Sequence, residues 1–377
     1  MTGNAERRSS FGLSLGIAAI IGAATIGDGI FALPYVFAVS GWAVVIGYLV
    51  VVTLLVGLAQ IVYFKTLETH GEKERLLELV ERYFGRVGFW IGFVAIVIGL
   101  LFSLVAFLIL GSRFLMLAIP GLSPGLAFFI FWIALSLPIF ISDRRVAALE
   151  VIGISCATAI IIFIFGNAWP NVTFAGVPAA TGANLFLPFS VALFSLAGWT
   201  GIEPAYELRK RAGSRRLPWK ALLVGTASIA LLYVLFAAGV LGSTAQVTGD
   251  TVSGLAGWPF WKQELIALFG LVAIATVYLP ISREIKNALE KDLRWDRWIA
   301  RSFIILLPVA LIGLGLRSFL TVVSVAGGLF ISVQYLLIIG VGRRALALSR
   351  GMIVALDAAA VIFLAAIVYE VASFIVH

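Results

Sequence analysis

The chain has 377 residues, of which 62% are hydrophobic and 12% charged, with a mean hydropathy of +1.09. That composition leaves too little polar surface for a water-soluble domain and implies a polytopic α-helical membrane protein; the long continuous apolar runs exclude a β-barrel. The net charge of +8 comes from Lys and Arg in short loops, which marks one membrane face rather than a nucleic-acid surface.

In chain order, residues 1–10 are polar, with Arg7 and Arg8, and a long apolar segment follows from Phe11 to Val39. It is too long for a cleavable signal peptide, so the first span is expected to stay. It is interrupted by Gly27-Asp28-Gly29. Gly41 makes a tight turn into span 2, Trp42 to Phe64. The stretch Lys73 to Phe84 is amphipathic and reads as a helix lying on the membrane surface. Span 3, Val87 to Leu117, is long for one upright crossing and must tilt or protrude. Spans 4 and 5 are expected at Gly125–Ile141 and Val146–Phe165. The polar loop 166–183 carries the sequon Asn171-Val-Thr173. Span 6 begins near Asn184 and is interrupted by Gly198, Gly201 and Pro204. After a basic loop come span 7 (Trp219–Leu241), a loop from Gly242 to Trp261 holding Asp250, and span 8 (Glu264–Ile285). Spans 9, 10 and 11 are expected at Phe303–Leu316, Leu320–Val341 and Gly351–Ile375. Eleven spans with the N-terminus inside place nearly all basic residues on the cytoplasmic side and the C-terminus outside, as in a prokaryotic inner membrane.

Two interruptions organise this pattern. Span 1 has Gly-Asp-Gly-Ile-Phe-Ala-Leu-Pro (27–34), and span 6, five spans later, has Gly-Trp-Thr-Gly-Ile-Glu-Pro (198–204). Because five is odd, the two segments run in opposite directions through the bilayer. Matching Gly/Pro-interrupted spans in two halves are the sequence pointer to a transporter's central site. Glycine also serves plain helix packing, but packing does not require Asp28 between the glycines. An ionisable side chain at that depth is a functional hypothesis by default. The halves are read as about 11–165 and 184–341, with an extra helix at about 351–375 in a single transmembrane domain.

Ile26 to Pro34 resembles the Gly-x-Gly-Ile-x-x-Leu-Pro signature of the amino acid/polyamine/organocation superfamily. Ala32-Leu-Pro-Tyr-Val-Phe-Ala-Val-Ser-Gly-Trp42, Leu193-Phe-Ser-Leu-Ala-Gly-Trp199 and Lys286-Asn-Ala-Leu-Glu-Lys-Asp-Leu293 are similar to the amino acid/auxin permeases and the aromatic and hydroxy amino acid permeases. The resemblance implies an all-α integral membrane protein with the leucine-transporter fold, a 5+5 inverted repeat plus an eleventh helix, with helices 1 and 6 broken. It also implies symport of amino acids with H⁺ or Na⁺ and no other cofactor. Two positions depart from that pattern: Asp28 stands where a small or neutral residue is usual, and Glu203-Pro204 reverses the expected order.

Candidate residues follow. The backbone of Gly27, Asp28, Gly29 and Ile30 is placed to take a substrate carboxylate, since glycine lets the backbone approach and helix N-termini favour anions. The carbonyls of Phe194, Leu196 and Ala197 would face the ammonium group, Trp199 would close over the substrate, and Ser103 and Ser195 would add hydrogen bonds. By the resemblance, Na⁺ would lie between spans 1 and 8, on the carbonyls of Ala23 and Ile26 and the hydroxyl of Thr276. Asp28 and Glu203 are the proton-coupling candidates. For Asp28, a helix-cap role, a contact with substrate ammonium or driving cation, and proton coupling stay open. Glu150, Asp357 and Glu370 are further acids within spans; Asp357 and Glu370 lie on the extra span near helix ends and are read as structural. The expected partners are an amino acid as small-molecule substrate, neutral and apolar or aromatic, and the lipid bilayer. The chain is expected to be a monomer or weak homo-oligomer, without nucleic acid. No nucleophile–base pair or metal-ligand cluster suggests an enzyme. Divalent-metal transport on the same fold and a non-transporting amino acid sensor remain alternatives; span 6 lacks the methionine expected of the first, the methionines being Met1, Met116 and Met352.

Overall fold

The structure is a computed structural model. It describes residues 2–70, 75–140, 178–181, 186–214, 217–244 and 247–376, together with isolated helical positions at 155, 158, 159 and 162. Most of the expected fifth span, Glu150, Cys156 and the sequon therefore lie outside the described residues.

With no water in the hydrocarbon, a spanning backbone must satisfy its own polar groups, which leaves the helix as the local solution. Helix α1 covers Thr2–Thr25, continuing through the polar N-terminal residues that the sequence leaves as a tail. A 3-10 segment at Asp28–Phe31 leads into α2, Leu33–Ser40, and the two halves of this span are bent by 60°. Helix α3 is Trp42–His70. The amphipathic stretch and span 3 follow as α4 (Leu76–Phe93), a π segment at Val94–Ile98, and α5 (Gly99–Ala118). Gly85, with φ +66°, kinks α4 where the amphipathic part ends. Helix α6, Pro124–Ser136, starts with a Ser123 cap and Pro at its first position, as that residue pair favours. Span 6 is α7 (Leu187–Leu196) and α8 (Ile202–Arg211), joined by an irregular turn and a 3-10 segment at Trp199–Gly201.

Helix α9 covers Trp219–Leu241, the limits the sequence gives for span 7. Helix α10, Phe260–Asn287, ends in a π turn at Ala288–Asp292. Helix α11 is Arg297–Gly313 and begins six residues before the apolar run, because Asp296 accepts from the N–H groups of Trp298 (2.8 Å) and Ile299 (3.4 Å). Span 10 is α12 (Phe319–Val325), a π segment at Ala326–Ile331, and α13 (Ser332–Ala345). Helix α14 is Arg350–Val376. Among the described residues six helices are long and apolar enough to cross a membrane, seven with the bent α1–α2 pair counted as one span.

The helices fall into two groups. Helices α1, α3, α7, α8 and α9 pack on one another, while α5 packs along α10 and also meets α6, α11 and α12. One end of the bundle is basic, carrying Arg75, Arg209 to Arg211, Arg283, Lys286, Arg343 and Arg344. There Glu68 pairs with Arg209, whose guanidinium lies 4.9 Å from the Phe64 ring centre. The opposite end holds the turn at Gly41 (φ +97°), covered by residues 178–181 through Trp42 N–H to the Pro178 carbonyl at 3.1 Å. The side chains of Leu54, Leu231, Val361 and Val368 stay exposed on the outside of the bundle, where hydrocarbon replaces water as their solvent.

Candidate functional site

The two interruptions meet. Helix α1 stops at Thr25, whose side chain turns back to the Ile21 carbonyl at 2.7 Å. Gly27 is fully extended (φ −153°, ψ −163°), and the backbone resumes as the 3-10 turn at Asp28. Helix α7 stops at Leu196, and Ala197 and Gly198 are non-helical. The interruption expected at Gly198 and Gly201 is therefore present, beside the first-span break. Contact is close enough to dictate glycine. A Cβ on Gly29 would lie 2.8 Å from the Ser195 Cα, and one on Gly198 would collide with the Thr25 hydroxyl.

Helix α9 ties the two breaks together. The Tyr233 hydroxyl shares its single proton between the Thr25 carbonyl at 2.9 Å and the Ser195 carbonyl at 3.1 Å. Each carbonyl belongs to a helix end whose own N–H partner is lost at the break. Tyr233 was missed in the sequence; its signal is a single phenol in the middle of an otherwise apolar span.

Asp28 sits at this crossing, 1% exposed. Its carboxylate lies against the backbone N–H groups of Asp28 and Gly29, and its Oδ2 atom has no hydrogen-bond partner among the described residues. The residue in the N-cap position is Gly27, so Asp28 is the first residue of the turn. Gln60 on α3 is the second orphan. It is fully buried and accepts from the Thr226 hydroxyl at 3.2 Å, but its Nε2 has no partner among the described residues and points toward Gly198.

Trp199 is 3% exposed and donates through Nε1 to Gln334 Oε1 at 2.7 Å. Gln334 in turn donates to the Ala95 carbonyl at 2.8 Å, inside the π segment of span 3. A π segment leaves carbonyls out of the regular helical ladder and often marks a functional position. Ser195 and Ser103 bond to their own helices, to the Val191 carbonyl at 2.8 Å and the Gly99 carbonyl at 3.4 Å. Thr276 likewise donates to the Ala273 carbonyl at 2.8 Å, leaving its oxygen free to accept or ligate. Phe194 packs on Gly327 of span 10, while Ile30 and Leu196 are buried.

The packing around the crossing differs at its two ends. Toward the opposite end, Phe31 makes ring contacts with Phe114 (4.7 Å), Phe269 (5.3 Å) and Phe236 (5.4 Å). Above that plug, Thr251 donates to the Phe31 carbonyl at 2.5 Å, and the neighbouring Asp250 pairs with Arg113. Toward the basic end, Ala23, Ala24, Gly27, Ala197, Thr200 and Glu203 are half-buried. Glu203 accepts from the Tyr63 hydroxyl at 2.7 Å, and Glu284 nearby lies 3.7 Å from Arg75. A third buried acid beside Asp28 and Asp250, Glu370, lies away from this crossing and bonds to Ser190 and Ser324. Asp357 pairs with Arg343 at the basic end.

No family model matches the chain, and no curated protein matches it. Solved structures do. A point mutant of the Eremococcus coleocola manganese transporter matches with a TM-score of 0.66 and 13% identity, over 96% of this chain and 87% of that one. The same transporter in complex with an aromatic bis-isothiourea substituted compound matches with a TM-score of 0.63, 13% identity and the same shares. A Na⁺-coupled sialic acid symporter in a substrate-bound outward-open state matches with a TM-score of 0.60 and 13% identity, over 87% of this chain and 78% of that one. These structures are of transporters rather than enzymes, and at such identity the likeness establishes the fold and not the substrate. The chain is an all-α integral membrane protein with the leucine-transporter fold, its first and sixth helices broken where they cross.

Proposed function

We propose that the chain is an ion-coupled secondary transporter of small neutral amino acids, apolar or aromatic, working by alternating access. The observation that carries this reading is the crossing itself: two broken helices bridged by Tyr233, with the carboxyl oxygen of a buried Asp28 left unpartnered. A buried orphan carboxylate is costly unless something fills its valence. A substrate ammonium, a driving cation or a proton would do so. The carboxylate of the same substrate would take the backbone N–H groups of this turn, displacing the Asp28 carboxyl that lies against those of Asp28 and Gly29.

In this reading the basic end faces the cytoplasm, with the N-terminus inside and the C-terminus outside a prokaryotic inner membrane. The state described is then closed outward by the Phe31 plug and the Asp250–Thr251 loop, and open inward past Glu203. The group of α1, α3, α7, α8 and α9 would rock against the group built on α5 and α10. The repeats would be residues 11–165 and 184–341. Likeness of Ile26–Pro34 and Leu193–Trp199 to the amino acid permeases supports the substrate class. Asp28 is the first choice for the coupling proton and Glu203 the second; Ala23, Ile26 and Thr276 are the Na⁺ alternative.

The similarity to a manganese transporter favours one second reading, divalent-metal transport with Asp28 as ligand. Against it, no group of three or more His, Cys, Asp or Glu residues comes together among the described residues, and a transported divalent metal needs several hard or soft ligands at once. Uptake into proteoliposomes separates the readings. The proposal expects labelled neutral amino acids to accumulate under an imposed H⁺ or Na⁺ gradient with Mn²⁺ excluded. Mn²⁺ uptake that amino acids do not compete would overturn it.

A further inference from the structure

Helix α14 shows lipid one face and the bundle another. Leu356, Ala359, Phe363, Ala366 and Glu370, spaced three and four apart, form one buried seam, while Val354, Val361, Leu364, Val368 and Val371 are exposed. That spacing is a helix stripe facing a partner. Four of the five seam residues are apolar. Glu370 is the exception and is 5% exposed.

Its carboxylate reaches across two other elements. Oε2 accepts from the Ser190 hydroxyl of α7 at 3.1 Å, and Oε1 accepts from the Ser324 hydroxyl of α12 at 2.9 Å. Gly328, in the π segment of span 10, is glycine because a Cβ there would lie 2.6 Å from Glu370 Oε2. The adjacent titratable residue on the same helix is Tyr369. From α7 and α12 the Ser190 and Ser324 hydroxyls face Glu370, and among the described residues no Lys, Arg or His pairs with it. Two hydroxyl donors offset only part of the cost of one buried charge.

We infer that Glu370, Ser190 and Ser324 form a second cation site, in which a monovalent cation, Na⁺ or H⁺, neutralises the carboxylate and links the extra helix to the first half of span 6 and to the π segment of span 10. Oxygen-only ligands and a single negative charge suit a hard monovalent ion. Because α7 runs directly into the break at Ala197, occupancy here sets how firmly that half-helix is held to span 10. Its place in the transport cycle rests on the reading of the chain as an ion-coupled transporter.

The test uses the full-length protein in nanodiscs without substrate. Hydrogen exchange is followed over residues 187–196 and 319–331 in two arms: NaCl titrated against choline chloride at fixed pH, and pH varied without Na⁺. The wild type is expected to gain protection in both peptides with Na⁺ in the first arm, or with acid in the second, which tells the two sources apart. Glu370→Gln should remove the dependence. The Ser190→Ala, Ser324→Ala pair keeps the carboxylate and should move the midpoint by about tenfold, the effect of losing a hydrogen bond to a charged group. No dependence in either wild-type arm, or an unchanged midpoint in the serine pair or in Glu370→Gln, overturns the site. Since no substrate is present, a failure of amino acid transport leaves this result standing. Conversely, coupled uptake by a protein whose exchange ignores cations overturns this site alone.

Discussion

Gly29 and Ser195 lie so close that a side chain on the first would meet the backbone of the second, with a Cβ 2.8 Å from the Ser195 Cα. The two broken spans therefore touch directly at the crossing. Neither can gain a methyl group at this point without a backbone shift. Gly29→Ala is expected to lose about 1–3 kcal/mol of stability, as overpacking of a dense interior does, and to lose substrate affinity while still inserting in the membrane. Substrate binding measured by scintillation proximity on purified protein checks this; wild-type affinity would show that the crossing is not the site.

Tyr233 holds two carbonyl ends that the breaks leave without helical partners. Tyr233→Phe removes the donor and keeps the ring. Leaving buried acceptors unpaired costs about 1–3 kcal/mol, so the thermal midpoint should fall, and transport should fall by more than stability alone explains. Transport rate normalised to folded protein checks it.

Trp199 and Gln334 form the polar link between span 6 and span 10. Trp199→Phe leaves the Gln334 carbonyl oxygen unpaired, whereas Gln334→Leu leaves both the Trp199 N–H and the Ala95 carbonyl without a partner. The Gln334→Leu variant is expected to be the less stable of the two, because it orphans two buried groups and not one. Denaturation of the two variants side by side reads the difference.

The packing at the end opposite the basic one rests on Asp250, which pairs with Arg113, accepts from Thr248 Oγ1 at 2.8 Å and from the Ser253 N–H at 3.0 Å, and stands beside Thr251 on the Phe31 carbonyl. Asp250→Ala should release that loop. In a Cys156→Ser background, Ile30→Cys is expected to resist a membrane-impermeant thiol reagent applied from the C-terminal side, since Ile30 is 1% exposed. Adding Asp250→Ala should speed labelling at least several-fold. Equal labelling rates would show that the loop does not gate the site.

Much of the architecture was legible because glycine and charge are loud signals inside apolar runs. Gly27-Asp28-Gly29 and Gly198 to Gly201 announced both breaks, and the limits of span 7 at Trp219 and Leu241 needed only hydropathy. Boundaries failed where polar residues continue a helix past the bilayer, as at Thr2–Ser10 and from Arg297, since propensity there is set by caps and not by hydrophobicity. The π segments in spans 3 and 10 left no trace, because they follow from packing between distant helices. Asp28 could be found from one line of sequence. Its neighbours could not: Tyr233, Gln60 and Gln334 come together only through the fold, and a lone amide or phenol in a span says that it needs a partner without saying which.

Asp28→Asn tests the central claim most directly. It keeps the size and much of the hydrogen bonding of Asp28 and removes its ability to ionise. Wild-type protein in proteoliposomes should concentrate a labelled neutral amino acid when a pH gradient is imposed. The mutant should still exchange labelled for unlabelled substrate across the membrane and fail to concentrate it. Accumulation by the mutant at the wild-type level and with unchanged pH dependence would contradict the account, and would move the coupling away from the crossing of the two broken helices.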